Sequence, residues 1–170
     1  ALDHVVEFAE LAPDGALYRD LTDANQEFVD GGAPVYPQGD WAAGVFVDTE
    51  EFTYGEDWTQ VPFPGTEGEY VMVLDAFIPS ASADVDTVRP FLEYAGSAEG
   101  QRRFSREKGS LPVRSDASMR GFSSYGQDQK TAFDSADERI ETITHGLSVS
   151  PEQLVDLKAA ITNLMNTWDT

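Results

Sequence analysis

The sequence predicts an α/β fold, and three observations carry that expectation. An apolar extended run, YVMVLDAFIP at residues 70–79, reads as the best strand in the chain. Amphipathic helix patterns stand on both sides of it, the clearest at the end of the chain. Compact turns rich in proline and glycine, PFPGTEG before the strand and KGSLP further on, mark changes of chain direction. With 170 residues, 41% of them apolar, the chain is long enough for one substantial core.

Taken in order, Val5, Val6, Phe8, Ala9 and Leu11 predict a short helix over residues 3–11, ended by the PDG turn at 13–15. A second helix is expected over 23–29, capped by Thr22 or Asp23 and stopped by Gly31 and Gly32. Residues 33–36 suggest a short strand kept near a sheet edge by its prolines, followed by a turn at Gly39 and an apolar segment from Trp41. The carboxylate-rich loop at 48–57 lacks the spacing of a calcium loop and reads as solvated surface. After the apolar alternation at 58–63, Pro62, Pro64, Gly65 and Gly68 form a rigid turn leading into the long strand.

A helix is expected over 84–94, with Pro90 arguing for a start nearer Thr87. Ser97 caps the next helix, with Gly100 at N3, and Gly109 ends it. Residues 116–128 are rich in Ser, Gly and Gln and read as loop anchored by Phe122 and Tyr125. A helix over 130–143 then places Phe133, Ala136 and Ile140 on one stripe. In the last helix Ser150 and Gln153 form a capping box around Pro151, Val149 and Leu154 form the staple, and Leu154, Leu157, Ile161, Leu164 or Met165, and Trp168 form the inward stripe.

Charge narrows the function. The 31 acidic and 11 basic residues leave a net charge of -20, whose field repels phosphate, so nucleic acid is not an expected partner. Six of the cations, Arg102, Arg103, Arg106, Lys108, Arg114 and Arg120, form one basic island. It reads either as an anion site or as a solvated helix face balanced by Glu99 and Glu107. Such acidity with only three Lys suits concentrated salt, where repulsion is screened within a few ångströms, and points to a halophilic source. The absence of Cys excludes thiol catalysis, disulfides and thiolate metal sites. No apolar run is long enough for a membrane-spanning helix, and the first residues lack a signal-peptide pattern.

Four positions attract attention as candidate contacts. Trp41, beside Asp40 at a predicted strand end, offers a flat apolar face next to a carboxylate, although many Trp residues simply fill cores. Asp75 interrupts the apolar strand, which is costly unless it faces a polar cleft or answers an internal donor. Lys108 is a compact donor near a turn, or a favourable charge at a helix C-terminus worth about 0.3 to 1 kcal/mol. His145, beside Gly146 at a helix end, reads as a capping histidine or as a ligand.

In order, the Gly39-Asp40-Trp41 turn, PFPGTEG before the strand holding Asp75, FLEYAGSAEGQRRFSREKGSLPVR and the late THG form a distinctive set. It resembles the C-terminal half of the substrate-binding proteins of bacterial and archaeal sugar ABC transporters, glucose-type and mannose-type members above all, here with the composition of a halophilic archaeon. The resemblance spans residues 3–168. It implies a periplasmic-binding-protein-like (type II) fold of two α/β lobes, of which this chain is mostly the C-terminal lobe. Residues 1–69 would belong to the C-terminal lobe, 70–113 to the crossing and the N-terminal lobe, and 114–170 to the return. By the same resemblance Trp41 stacks on a pyranose, Asp75, Lys108 and His145 hydrogen-bond its hydroxyls, and Asp40 assists from behind. Neither a cofactor nor a metal is implied, and no catalysis. The expected partners are a monosaccharide such as glucose, an ABC permease and a missing N-terminal portion of the same protein. The expected location is extracellular or at the cell surface, tethered through a region absent from this chain.

Overall fold

The computed structural model describes residues 2–12, 19–47, 52–143 and 148–167. The chain divides into two compact units, one made of Ala1–Ala24, Val71–Asp75 and Ile140–Thr170, the other of Asn25–Tyr70 and Ala76–Arg139. These units describe compactness.

The first unit carries α1 (Leu2–Leu11) and α7 (Pro151–Thr167). α7 begins as expected: the Ser150 amide donates to Gln153 Oε1 at 2.9 Å, and the Gln153 amide donates to Ser150 Oγ at 3.3 Å. This capping box satisfies two groups that a helix end leaves open. Leu154, Leu157, Ile161, Leu164 and Met165 are the less exposed stripe of α7, yet none of them is fully buried. No helix among the described residues is long and apolar enough to cross a membrane.

The sheet is small. β1 (Glu69–Met72) pairs with β2 (Glu138–Glu141). Gly68 O accepts from the Glu138 amide at 3.2 Å and Met72 O from the Thr142 amide at 3.3 Å. Those two bonds keep the same register along both strands, so the pair is parallel. A parallel pair needs a long crossover, and α4 (Val85–Ala95), α5 (Ala98–Lys108) and α6 (Ser124–Ser135) all lie within it.

Several expectations change here. The strand expected over 70–79 pairs only as far as Met72, because β2 offers four residues; residues 73–80 continue without strand pairing. The helix expected over 130–143 begins six residues earlier, because Ser123 accepts the Gly126 amide at 3.3 Å and caps it, and residues 138–141 become the strand. Residues 33–36 form no strand. α2 (Leu21–Val29) is capped by Asp20, whose Oδ1 accepts the amides of Thr22 and Asp23 at 2.8 and 3.0 Å. α4 starts at Val85 and contains Pro90; Asp84 fixes that start by accepting the Asp86 amide at 3.2 Å and the Thr87 hydroxyl at 2.7 Å.

The second unit is built around aromatic rings. Phe46 lies 5.4 Å from Phe28, 5.7 Å from Phe52 and 5.1 Å from Trp58, centroid to centroid. Tyr125 extends the cluster, 5.2 Å from Trp58 and 5.4 Å from Tyr54. Phe46 and Tyr125 are buried, as are Ala42, Ala43 and Ala117. Phe52 and Tyr54 come from the loop read as solvated surface; its described carboxylates, Glu56 and Asp57, are exposed, while these two rings pack against the aromatic cluster.

Candidate functional site

The Gly39-Asp40-Trp41 motif forms the start of a short 3-10 helix, Asp40–Ala42, that runs directly into α3 (Ala43–Val47). Trp41 therefore stands at a helix start, not at the expected strand end. Its ring folds back over Gly39: a Cβ there would lie 2.2 Å from Trp41 Cζ3. Gly39 is required for space, since its φ of -80° is ordinary. Ala42, Ala43 and Phe46, which follow it in the chain, are buried, and Trp41 itself is only half-buried.

Lys108 is the last residue of α5, and its Nζ lies 5.8 Å from the Phe104 ring centroid. The helix ends as the sequence indicates. Gly109 takes φ +82°, and its amide donates to Ser105 O at 2.9 Å. A second glycine then becomes essential. A Cβ on Gly44 would sit 2.4 Å from Lys108 O, and one on Gly109 would sit 2.6 Å from the Gly44 nitrogen. Two facing glycines let the backbone of α3 touch the end of α5.

Asp40 closes the same junction. Its Oδ2 accepts the Leu111 amide at 3.2 Å, so the carboxylate ties the turn after α5 to the Trp41 turn. Burial raises its pKa above the ordinary carboxylate value; the Leu111 and Trp41 amides and the nearby Lys108 ammonium pull the other way. Asp40, Trp41 and Lys108 are thus brought into one neighbourhood of the second unit.

The other two candidates are placed differently. Asp75 belongs to the first unit, beyond the end of β1, and is exposed. It is not the carboxylate buried in a strand that the apolar run suggests, so the burial cost argued from that position does not arise. His145 lies outside the described residues.

Within the basic island, four of the six cations pair with three carboxylates. Glu99 accepts from Arg102 at 2.8 Å and from Arg103 at 2.6 Å, Arg106 pairs with Glu107, and Arg114 pairs with Asp116 at 2.7 Å. The hydrogen bonds from Arg102 and Arg103 hold the Glu99 carboxyl down at about 2. These pairs are the ones a solvated helix face balanced by Glu99 and Glu107 makes. A cavity of about 210 Å³ opens beside the glycine contact, lined by Gly44, Gly109, Arg106, Phe122 and Tyr125 among others; Trp41 and Lys108 do not line it.

Sequence reasoning missed the support beneath Asp40. The buried Tyr125 hydroxyl donates to Asp40 O at 3.1 Å, and Gln129 Nε2 donates to Tyr125 Oη at 3.0 Å. The available signal was the four-residue spacing of Tyr125 and Gln129, which puts both on one helix face. Residues 116–128, Tyr125 among them, read as loop, and the expected helix begins only at Lys130, so the two were not placed on one helix.

Comparisons with known proteins point to one family. The family of bacterial extracellular solute-binding proteins matches residues 4–128. The chain is 31% identical over 141 residues to the xylose/arabinose-binding protein XacG of Haloferax volcanii, which covers 82% of this chain and 31% of that protein. It is 27% identical over 170 residues to an uncharacterized ABC transporter extracellular-binding protein of Pyrococcus horikoshii, covering 99% of this chain and 38% of the relative. It is 31% identical over 130 residues to a probable sugar-binding periplasmic protein of Brucella suis, covering 75% of this chain and 30% of the relative. The chain therefore spans about a third of the length of these curated relatives. Each of these relatives is named as a binding protein. The chain belongs to the bacterial extracellular solute-binding protein family.

Proposed function

We propose that the chain supplies part of a monosaccharide site in the extracellular binding component of an ABC sugar importer. The supporting observation is the junction of the Trp41 turn with the end of α5, closed by the Asp40 bond to Leu111 and by the Gly44–Gly109 approach. It sets a half-buried indole near a lysine, and a sugar presents both an apolar CH face for a ring and hydroxyls for a charged donor. Trp41 stacks on the pyranose, Lys108 donates to its hydroxyls, and Asp40 holds the two turns together. By the motif resemblance alone, Asp75 and His145 are proposed as sugar-hydroxyl partners; they are no part of this junction. The ligand class is an aldose: glucose by the motif resemblance, xylose or arabinose by the name of the Haloferax relative.

The site captures and does not turn over its ligand. Closure around the bound sugar in a two-lobed whole presents it to a membrane permease. The remaining lobe and the tether to the cell surface would lie in polypeptide outside these residues. The test is ligand-observed NMR with glucose, xylose and arabinose at millimolar concentration. Saturable contact that Trp41→Ala removes supports the reading, and sugar turnover sinks it.

A second reading, a half-module that binds sugar only when joined to further polypeptide, is favoured by the apolar surface the second unit leaves in water. Phe77, Phe91, Phe104, Ile78 and Val85 are 50%, 56%, 48%, 84% and 60% exposed. Sugar binding by a longer protein but not by this chain would select it. The net charge of -20 supports a halophilic setting. In that case the unfolding midpoint rises from dilute buffer to molar KCl, and equal midpoints contradict it.

A further inference from the structure

We propose that Tyr125, backed by Gln129, is a positioning residue for the Trp41 platform; this rests on the reading of Trp41 as the surface on which the sugar stacks. The Tyr125 hydroxyl donates to Asp40 O at 3.1 Å and accepts from Gln129 Nε2 at 3.0 Å. A phenol has one proton, so the bond accepted from Gln129 commits that proton to Asp40. The amide of Gln129 is itself oriented. Its oxygen accepts the Tyr70 hydroxyl at 3.1 Å, and its nitrogen also donates to Gln60 Oε1. The relay thus runs in one direction, from Tyr70 through Gln129 and Tyr125 to the Asp40 carbonyl.

That carbonyl belongs to the peptide unit joining Asp40 to Trp41, so its direction sets the plane from which the indole departs. It also accepts the Ala43 amide, so both of its lone pairs are used. Tyr125 is 5% exposed, and its ring is locked against Tyr54 and Trp58. Burial, and secondarily the Asp40 charge, raise its pKa, which keeps the donor protonated across the physiological range. A ring serving only to fill the core would have no use for this chain of oriented donors.

Tyr125→Phe keeps the ring and removes the hydroxyl, and Gln129→Met removes the donor behind it. The readout is native-state hydrogen exchange of the Ala42 and Ala43 amides, which form the Trp41 turn, with Val88 and Gln101 of α4 and α5 as internal controls. Losing one buried hydrogen bond should speed exchange at Ala42 and Ala43 by about fivefold to tenfold in Tyr125→Phe, less in Gln129→Met, and leave the controls unchanged. No change at the turn, or an equal change at the controls, overturns the positioning role. In the same variants aldose affinity should fall by a similar factor; unchanged affinity beside faster exchange overturns the link to the platform. If the unsubstituted chain binds no aldose, independent sugar binding by these residues fails, while the exchange result still decides whether Tyr125 holds the turn.

Discussion

Two aromatic groups in the second unit have the same ring geometry and opposite surroundings. Phe46 meets Trp58 edge to face at 5.1 Å, and Phe77 meets Phe91 and Phe104 edge to face at 5.6 Å each. Phe46 is 4% exposed, whereas the other three rings leave about half their surface in water. Ring contact alone therefore says little about stability. The first group removes its apolar area from solvent and carries the Trp41 turn on top of it. The second, on the segment after β1 and on α4 and α5, leaves an apolar face in water.

The contrast is sharpest in truncation. Phe46→Ala should cost about 3 to 5 kcal/mol in urea unfolding, as large-to-small changes of buried rings do, while Phe91→Ala should cost less than about 1 kcal/mol. Equal losses would erase the distinction. Gly44→Ala tests the junction rather than the core. The added methyl must displace the Lys108 carbonyl, which should cost about 1 to 3 kcal/mol and move Lys108 away from the Trp41 turn. A fully stable Gly44→Ala with unaltered amide shifts at Lys108 and Gly109 would show that the contact is dispensable.

Smaller effects should appear in pH dependence, with opposite signs. The folded pKa of Asp40 lies above its unfolded value of 3.8, so folding disfavours its charged form. Its contribution is most favourable below pH 3.8 and is lost as pH rises through the raised folded value. Asp40→Asn keeps an acceptor for the Leu111 amide without the charge, so its stability relative to the unsubstituted chain should improve across that rise. Glu99 behaves in reverse. Held at about 2 against an ordinary value of 4.5, it stabilises above pH 4.5 and loses that contribution as pH falls toward 2. Glu99→Gln should flatten this acid limb, and urea titrations from pH 2 to 7 measure both.

What was legible in the sequence follows the range of the forces involved. The caps of α5 and α7 act within four residues, and Ser97, Gly109, Ser150 and Gln153 behave as read. The parallel pairing of β1 with β2 joins segments on either side of three helices, and nothing local to residues 138–141 announces a strand. In the loop after α3 the described carboxylates, Glu56 and Asp57, lie in water as read, while Phe52 and Tyr54 pack on Phe28 and Tyr125, more than twenty residues away in the chain. At the candidate site Trp41, Lys108 and Asp40 were legible as residue types with suitable chemistry. Their joining through Leu111 and the facing glycines was not, because each link spans more than sixty residues of chain.

The most direct test of the sugar site is saturation-transfer NMR of the 170-residue chain with xylose, arabinose and glucose in molar KCl. The account predicts saturable transfer to the ring protons of at least one aldose, abolished by Trp41→Ala and retained in Phe91→Ala. Transfer that survives Trp41→Ala undiminished would contradict it.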